Sequence, residues 1–112
     1  MSTYLSSKMA GLPDYGAAGF KAEAEWVLAH GGHPFTPKAR PGTPWMTCVR
    51  DDLFCLTQCE AIRMFGPWYR SHGALIELIS AHRMGIRIGI DQWFFRPLQW
   101  FLNKTKGVQD GL

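Results

Sequence analysis

Short segments of strand length recur along this chain, with longer segments of helical spacing between them; Gly and Pro separate the two kinds. That alternation constrains the fold more than any other feature. Thr3–Ser6 is the first strand candidate, and Gly11-Leu12-Pro13-Asp14 after it is loop chemistry. Within Tyr15–His30, Phe20, Ala24, Val27 and Leu28 repeat at helical spacing, and Gly31-Gly32 stops the helix. His33–Pro37 is a second strand, running into a loop with Pro37, Pro41, Gly42 and Pro44. Pro44 suits the first turn of a helix reaching about Gln58, with Thr43 as its cap. Ala61–Phe65 is a third strand, ended by Gly66-Pro67. Ser71 caps a third helix through about Met84, Gly85 closes it, and Ile86–Ile90 is a fourth strand.

The order βαβαβαβ predicts an α/β fold, a parallel sheet of about four strands with helices on both faces. Ligands of such sheets sit at the carboxyl ends of the strands, near the point where strand order reverses. Function is therefore expected in the loops Ser6–Asp14, Pro37–Thr43 and Gly66–Ser71. The predicted domain spans residues 1–90. Residues 91–112 form an aromatic tail, with Trp93-Phe94-Phe95 and Trp100-Phe101-Leu102 bracketing Arg96-Pro97. Packing on the domain or on a second subunit is the expected use of that tail. An interfacial membrane anchor is the rarer alternative.

At 112 residues one domain is expected. Lys and Arg exceed Asp and Glu by 12 to 9, an excess of +3 that is too mild for binding a nucleic-acid polymer. No apolar run approaches the ~20 residues of a membrane span. Met1–Lys8 has no apolar signal region, which points to the cytoplasm. Cys48, Cys55 and Cys59 cannot all pair within the chain, and their spacing of seven and four sets them on one helical face. With no Cys-x-x-Cys present, core packing is expected rather than a metal, and no cofactor is expected. His30 and His33 read as loop residues and His82 as a residue of an outer helix surface.

The segment from Gly66 to Glu77 carries the most chemistry. A strand ends, a loop turns, and a helix opens on Ser71-His72-Gly73-Ala74. Backbone N–H groups and the helix dipole at such an end favour an anion such as phosphate, with His72 beside it as a further donor. Glu77 lies six residues after Ser71, where the dipole helps keep a nucleophilic carboxylate ionised. A plain N-cap followed by a solvent-facing Glu is the commoner meaning of the same pattern. Asp51 and Asp52 lie in the second helix, most simply on a solvated face. The functional alternative turns one of them toward the strand ends, so that two carboxylates divide general-acid and nucleophile roles.

Taken in order, these segments resemble the small nucleoside 2-deoxyribosyltransferase-like proteins. More narrowly they resemble the bacterial and phage branch described as a domain of unknown function (DUF4406). That branch opens on Tyr-Leu-Ser-Gly-Pro-Met-x-Gly-Leu-Pro-Asp-Tyr, which Tyr4-Leu-Ser-Ser-Lys-Met9-Ala-Gly11-Leu-Pro-Asp14-Tyr15 largely matches. A Phe-led helix from Phe20, Pro44-Trp45, Asp52-Leu53 and Cys59-Glu60 follow in register. Trp68, Ser71-His-Gly73-Ala74 and Glu77 close the pattern. The register selects Asp52 over Asp51.

The resemblance implies a flavodoxin-like or Rossmann-like three-layer sandwich with strand order 2-1-3-4. It implies cleavage or transfer at the N-glycosidic bond of a nucleoside, a deoxynucleoside or its 5′-monophosphate. Glu77 would attack the anomeric carbon, Asp52 would act as general acid or orienting group toward the base, and Tyr4 would line the sugar site. Ser6, Ser7, Lys8, Trp68, Ser71, His72 and Gly73 form the expected substrate- and phosphate-binding set. Ser7-Lys8 replaces the branch's Gly-Pro. Ser7 would narrow the site or donate a hydroxyl, and Lys8 would suit a phosphorylated ligand. That departure motivates the alternative of a non-catalytic protein that sequesters or senses a nucleotide. The implied assembly is a homodimer or larger homo-oligomer.

Overall fold

A computed structural model describes residues 1–107 of the chain. Alternation of faces builds the first strand, β1 (Ser2–Ser6): Thr3 and Leu5 point to one side, Tyr4 and Ser6 to the other, and all four are buried. The chain continues through a short 3-10 turn (Pro13–Gly16), α1 (Ala17–Ala29) and β2 (His33–Phe35). Next come α2 (Trp45–Thr57), β3 (Ala61–Met64), a 3-10 turn (Trp68–Arg70), α3 (His72–Arg83) and β4 (Arg87–Ile90). All pairings are parallel and the order is β2-β1-β3-β4, so the chain steps from β1 to one side and returns past it. The reversal lies between β1 and β3, at the expected place for a ligand crevice. Pro34 is tolerated because β2 is an edge strand.

The two faces of the sheet are covered unequally. Tyr4, Ile62, Met64, Ile88 and Ile90 pack with Leu56 of α2 and with Ala74, Leu78 and Ala81 of α3. On the other face Leu5 and Phe65 pack with Phe20 and Val27 of α1. Leu28, which shares the helical spacing of that set, instead faces solvent. Beyond α1, under β3 and β4, the sheet surface is polar. There the Arg63 guanidinium bonds Glu23 at 2.8 Å and Asp91, and lies 3.7 Å from the centre of the Trp26 ring.

Other sequence expectations also need correction, among them His33, which lies in β2 rather than in a loop. Pro44 stands just before α2 rather than inside it, and no side chain caps that helix, Thr43 included. Cys59 lies two residues past the end of α2, although its Sγ reaches the Cys55 carbonyl at 3.5 Å. His82 is half-buried, with Nε2 2.8 Å from the Thr105 hydroxyl. By contrast, the Ser71 hydroxyl accepts from the Ala74 N–H at 3.2 Å and caps α3 as expected.

The tail begins with a 3-10 turn (Trp93–Phe95) and then α4 (Arg96–Thr105); its last residues, 108–112, lie outside the described part. α4 packs along β4 and α3, with Leu98 and Leu102 against the main core. Its amide side chains close the open edge of β4. Asn103 Oδ1 accepts from the Ile88 N–H at 2.9 Å, and its Nδ2 donates to the Ile88 carbonyl at 2.7 Å. Gln99 Oε1 accepts from the Ile90 N–H at 2.7 Å. An amide paired with both groups of one residue does what a further strand would do, and blunts an edge that otherwise invites pairing with another chain. Among the described residues no helix is long and apolar enough to cross a membrane. Asn103→Leu keeps the bulk but orphans both edge groups of Ile88. Urea denaturation should show it less stable by about 1–3 kcal/mol.

Candidate active site

The carboxyl ends of β1 and β2, the N-terminal half of α2 and the first turns of α3 enclose a cavity of about 320 Å³. Glu77 is at its floor. A position six residues into α3 aims its side chain at β1, and it is only 8% exposed. Both carboxylate oxygens are held by β1 hydroxyls: Tyr4 donates to Oε2, and Ser6 donates to Oε1 at 2.7 Å. Tyr4 and Ser6 are both wholly buried and two residues apart, so the strand's alternation delivers both donors to one face. The Tyr4 ring stacks on Phe35 of β2, with ring centres 5.5 Å apart.

Burial dominates the electrostatics. It raises the Glu77 pKa to about 7, although the hydrogen bonds from Tyr4 and Ser6 pull it down and Asp52 adds a small upward push. Burial is thus the dominant influence on this carboxylate. Burial and then the Glu77 charge hold the Tyr4 hydroxyl protonated, well above the ordinary range.

The two adjacent acids of α2 separate. Asp52 lines the cavity, and its pKa is raised by burial, lowered by Arg40 and raised again by Asp51. Asp51 is the more exposed and takes the Arg40 guanidinium at 2.6 Å, while Arg40 reaches Asp52 at 3.6 Å. Arg40 comes from the Pro37–Pro44 loop, so the pair ties that loop to α2 along one wall of the cavity.

Of the other residues expected here, Ser7, Ser71 and Gly73 line the cavity. Ser6 acts one step back, on the Glu77 carboxylate. Three residues are placed elsewhere. Lys8 borders a separate hollow with Leu12, Phe65 and Gly66. Trp68 is a core residue, its indole N–H donating to Gln92 at 3.2 Å. His72 is exposed and does not line the cavity. The wall also includes Met9, Tyr15, Arg40, Trp45 and Cys48, which sequence reasoning did not single out. All but Trp45 and Cys48 lie in loops leaving β1 and β2, and that position was the available signal.

The raised pKa has a stability consequence. A carboxyl whose folded pKa exceeds its unfolded value stabilises the fold below about pH 4.5 and loses that contribution as pH rises through about 7. Glu77→Gln carries no charge to bury, and the Ser6 hydroxyl can accept from the new amide. The variant should therefore unfold at higher denaturant than the native chain at pH 8, by roughly 1–3 kcal/mol. The difference should vanish by about pH 4.5, which a urea titration at several pH values will read.

Solved structures share this fold, two 2-deoxyribosyltransferases among them. The 2-deoxyribosyltransferase of Leishmania mexicana superposes with a TM-score of 0.65 at 18% identity, over 80% of this chain and 62% of that one. The 2-deoxyribosyltransferase of Bacillus psychrosaccharolyticus superposes with a TM-score of 0.60 at 21% identity, over 80% of this chain and 71% of that one. The chain thus spans less than two thirds of the length of the Leishmania protein. No curated protein matches the sequence. These likenesses establish the flavodoxin-like arrangement of four parallel strands in the order 2-1-3-4. The model of the family described as a domain of unknown function (DUF4406) matches residues 1–90, and the chain belongs to that family.

Proposed function

We propose that this protein cleaves the bond between base and sugar in a nucleoside or deoxynucleoside 5′-monophosphate. The observation that carries the reading is the Glu77 carboxylate, buried at the floor of the cavity and fixed by Tyr4 and Ser6, with Asp52 in the same wall. That 2-deoxyribosyltransferases are among the solved structures with this fold supports it.

The chemistry follows retaining, two-carboxylate logic. Ionised Glu77 attacks the anomeric carbon. The glycosidic C–N bond breaks, its electron pair leaves with the base, and Asp52 supplies a proton to the departing nitrogen. Water, deprotonated by Asp52, then displaces Glu77 and frees the sugar. Tyr4 and Ser6 hold the nucleophile in one orientation, which lowers the entropic part of the barrier. The first turn of α3, with Ser71 and Gly73 at the cavity wall, suits a 5′-phosphate. Hydrolysis is preferred to transfer because the cavity is open to water at a rim where Trp45 is 53% exposed.

Liquid chromatography of reactions with nucleosides and 5′-monophosphates should show free base. Glu77→Gln should abolish release, a loss of at least ~10³-fold for a removed nucleophile. Release that persists in Glu77→Gln would remove Glu77 from that role. Because the reaction needs Glu77 ionised and Asp52 protonated, kcat/KM should be bell-shaped in pH, falling on the acid side as Glu77 takes up a proton and on the alkaline side as Asp52 loses its own. Tight nucleotide binding with no base released would favour the sequestering alternative, which Ser7 at the cavity wall supports.

The outer face of the tail supports association between copies of this chain. Trp93 is 75% and Trp100 64% exposed, with Phe94 and Phe101 also open to solvent. Trp100→Glu with Phe101→Glu should lower the mass measured by light scattering; an unchanged mass would exclude this face as the contact.

A further inference from the structure

The 3-10 turn after β1 holds two residues with side chains in the left-handed region, Asp14 (φ 47°, ψ 41°) and Tyr15 (φ 52°, ψ 30°). Gly16 follows at φ 76°, where no side chain is strained. Asn, Asp and Gly tolerate this region; an aromatic residue does so only where the surroundings compel it. The turn is tied down on both sides, the Tyr15 N–H donating to the Leu12 carbonyl at 3.0 Å and the Ala17 N–H to the Asp14 carbonyl. Gly16 lies close under the strand exit, and a Cβ there would stand 3.2 Å from the Lys8 carbonyl. The backbone is thereby forced left-handed, yet Gly, the residue suited to that conformation, is not what stands at position 15. Strain of this kind gathers at ligand clamps.

The Tyr15 ring has little structural use. It is 44% exposed and belongs to neither core cluster. What it does is border two cavities at once. One is the site cavity with Glu77 and Asp52. The other, of about 540 Å³, lies toward α1 and is lined by Phe20, Ala24, Thr36 and Lys21. Tyr15, Met9, Pro37, Lys38, Ala39 and Pro41 belong to both linings, so they form the partition. At about 320 Å³ the site cavity is at the small end of ligand sites. A larger base needs the space beyond that partition.

We propose that Tyr15 is the base-stacking and size-selecting residue of this site, and that the cavity behind it takes the part of a purine that the site cavity cannot hold. The inference rests on the glycosidase reading above. An exposed aromatic face held rigid by its backbone stacks on any planar base, and the strain persists because the ring is needed there.

The test is Tyr15→Gly, which removes the ring and relieves the backbone. Base release from purine and pyrimidine deoxynucleoside 5′-monophosphates is compared with inhibition by base-free 2-deoxyribose 5-phosphate. KM for the nucleotides should rise roughly ten-fold, the loss of one base–aromatic stack, with kcat little changed. The inhibition constant of the sugar phosphate should stay the same, and the melting temperature should hold or rise. The purine-to-pyrimidine ratio of kcat/KM should move toward purines once the partition is open. Tyr15→Phe, which keeps the ring, should recover most of the nucleotide KM lost in Tyr15→Gly. Unchanged nucleotide KM, a melting temperature that falls, or equal weakening of nucleotide and sugar phosphate would overturn the inference and make Tyr15 structural. If the native chain binds nucleotide without turnover, dissociation constants replace KM in the same comparison. A native chain that neither binds nor cleaves nucleotide would overturn the glycosidase reading itself, and this inference with it.

Discussion

Water cannot reach the Glu77 carboxylate well enough to solvate it, and two hydroxyls of β1 stand in for water. Burying a carboxyl without partners costs several kcal/mol, so the site exists only because β1 and α3 are held at hydrogen-bonding distance. β1 is an interior strand with neighbours on both sides, and α3 is fastened by Ala74, Leu78 and Ala81 against β3 and β4. The most constrained elements of the fold therefore carry the most demanding polar contact. Tyr4 couples the two requirements: its ring belongs to the core while its hydroxyl belongs to the site.

A parallel sheet must hide both faces and both edges, and this small one does so by uneven means. α2 and α3 cover one face with apolar side chains. On the other, α1 reaches only part of the way. The uncovered surface stays wettable because Arg63 is satisfied by two carboxylates and the Trp26 ring. The β4 edge is closed by side-chain amides of α4 rather than by backbone. This leaves the carboxyl ends of β1 and β2 as the open region, where the cavity lies.

The fold was legible because strand-length and helix-length segments alternate along the chain, with Gly or Pro at many of the joins. α4 was not legible as an element. Its inward face is Leu98, Gln99, Leu102 and Asn103, half amide, and its aromatics point outward. Hydrophobic patterning reads such a helix inside out, because the half-buried amides turn inward for their hydrogen bonds. At the site, the spacing from Ser71 to Glu77 located the carboxylate, but its partners arrive from β1, some seventy residues away in sequence. Lys8, Trp68 and His72 were expected from their neighbourhood in the chain, yet adjacency along a loop does not fix which way a side chain turns. Arg40 and Tyr15 carried no periodic signal at all.

Asp51 and Asp52 show how tertiary placement splits chemically identical neighbours. One hundred degrees of helix rotation leaves Asp51 outside to anchor Arg40 and turns Asp52 into the cavity. Both cavity carboxyls are pushed toward protonation by burial, and Asp52 pushes Glu77 further in the same direction. The proposed reaction needs a proton on Asp52 and the charge on Glu77. Arg40 favours the opposite placement by stabilising the Asp52 carboxylate, whereas the Tyr4 and Ser6 hydroxyls favour the charge on Glu77. On the proposed reading Arg40 works against the reactive arrangement, so the loop that carries it along the cavity wall bears on which carboxyl is the acid and which the nucleophile.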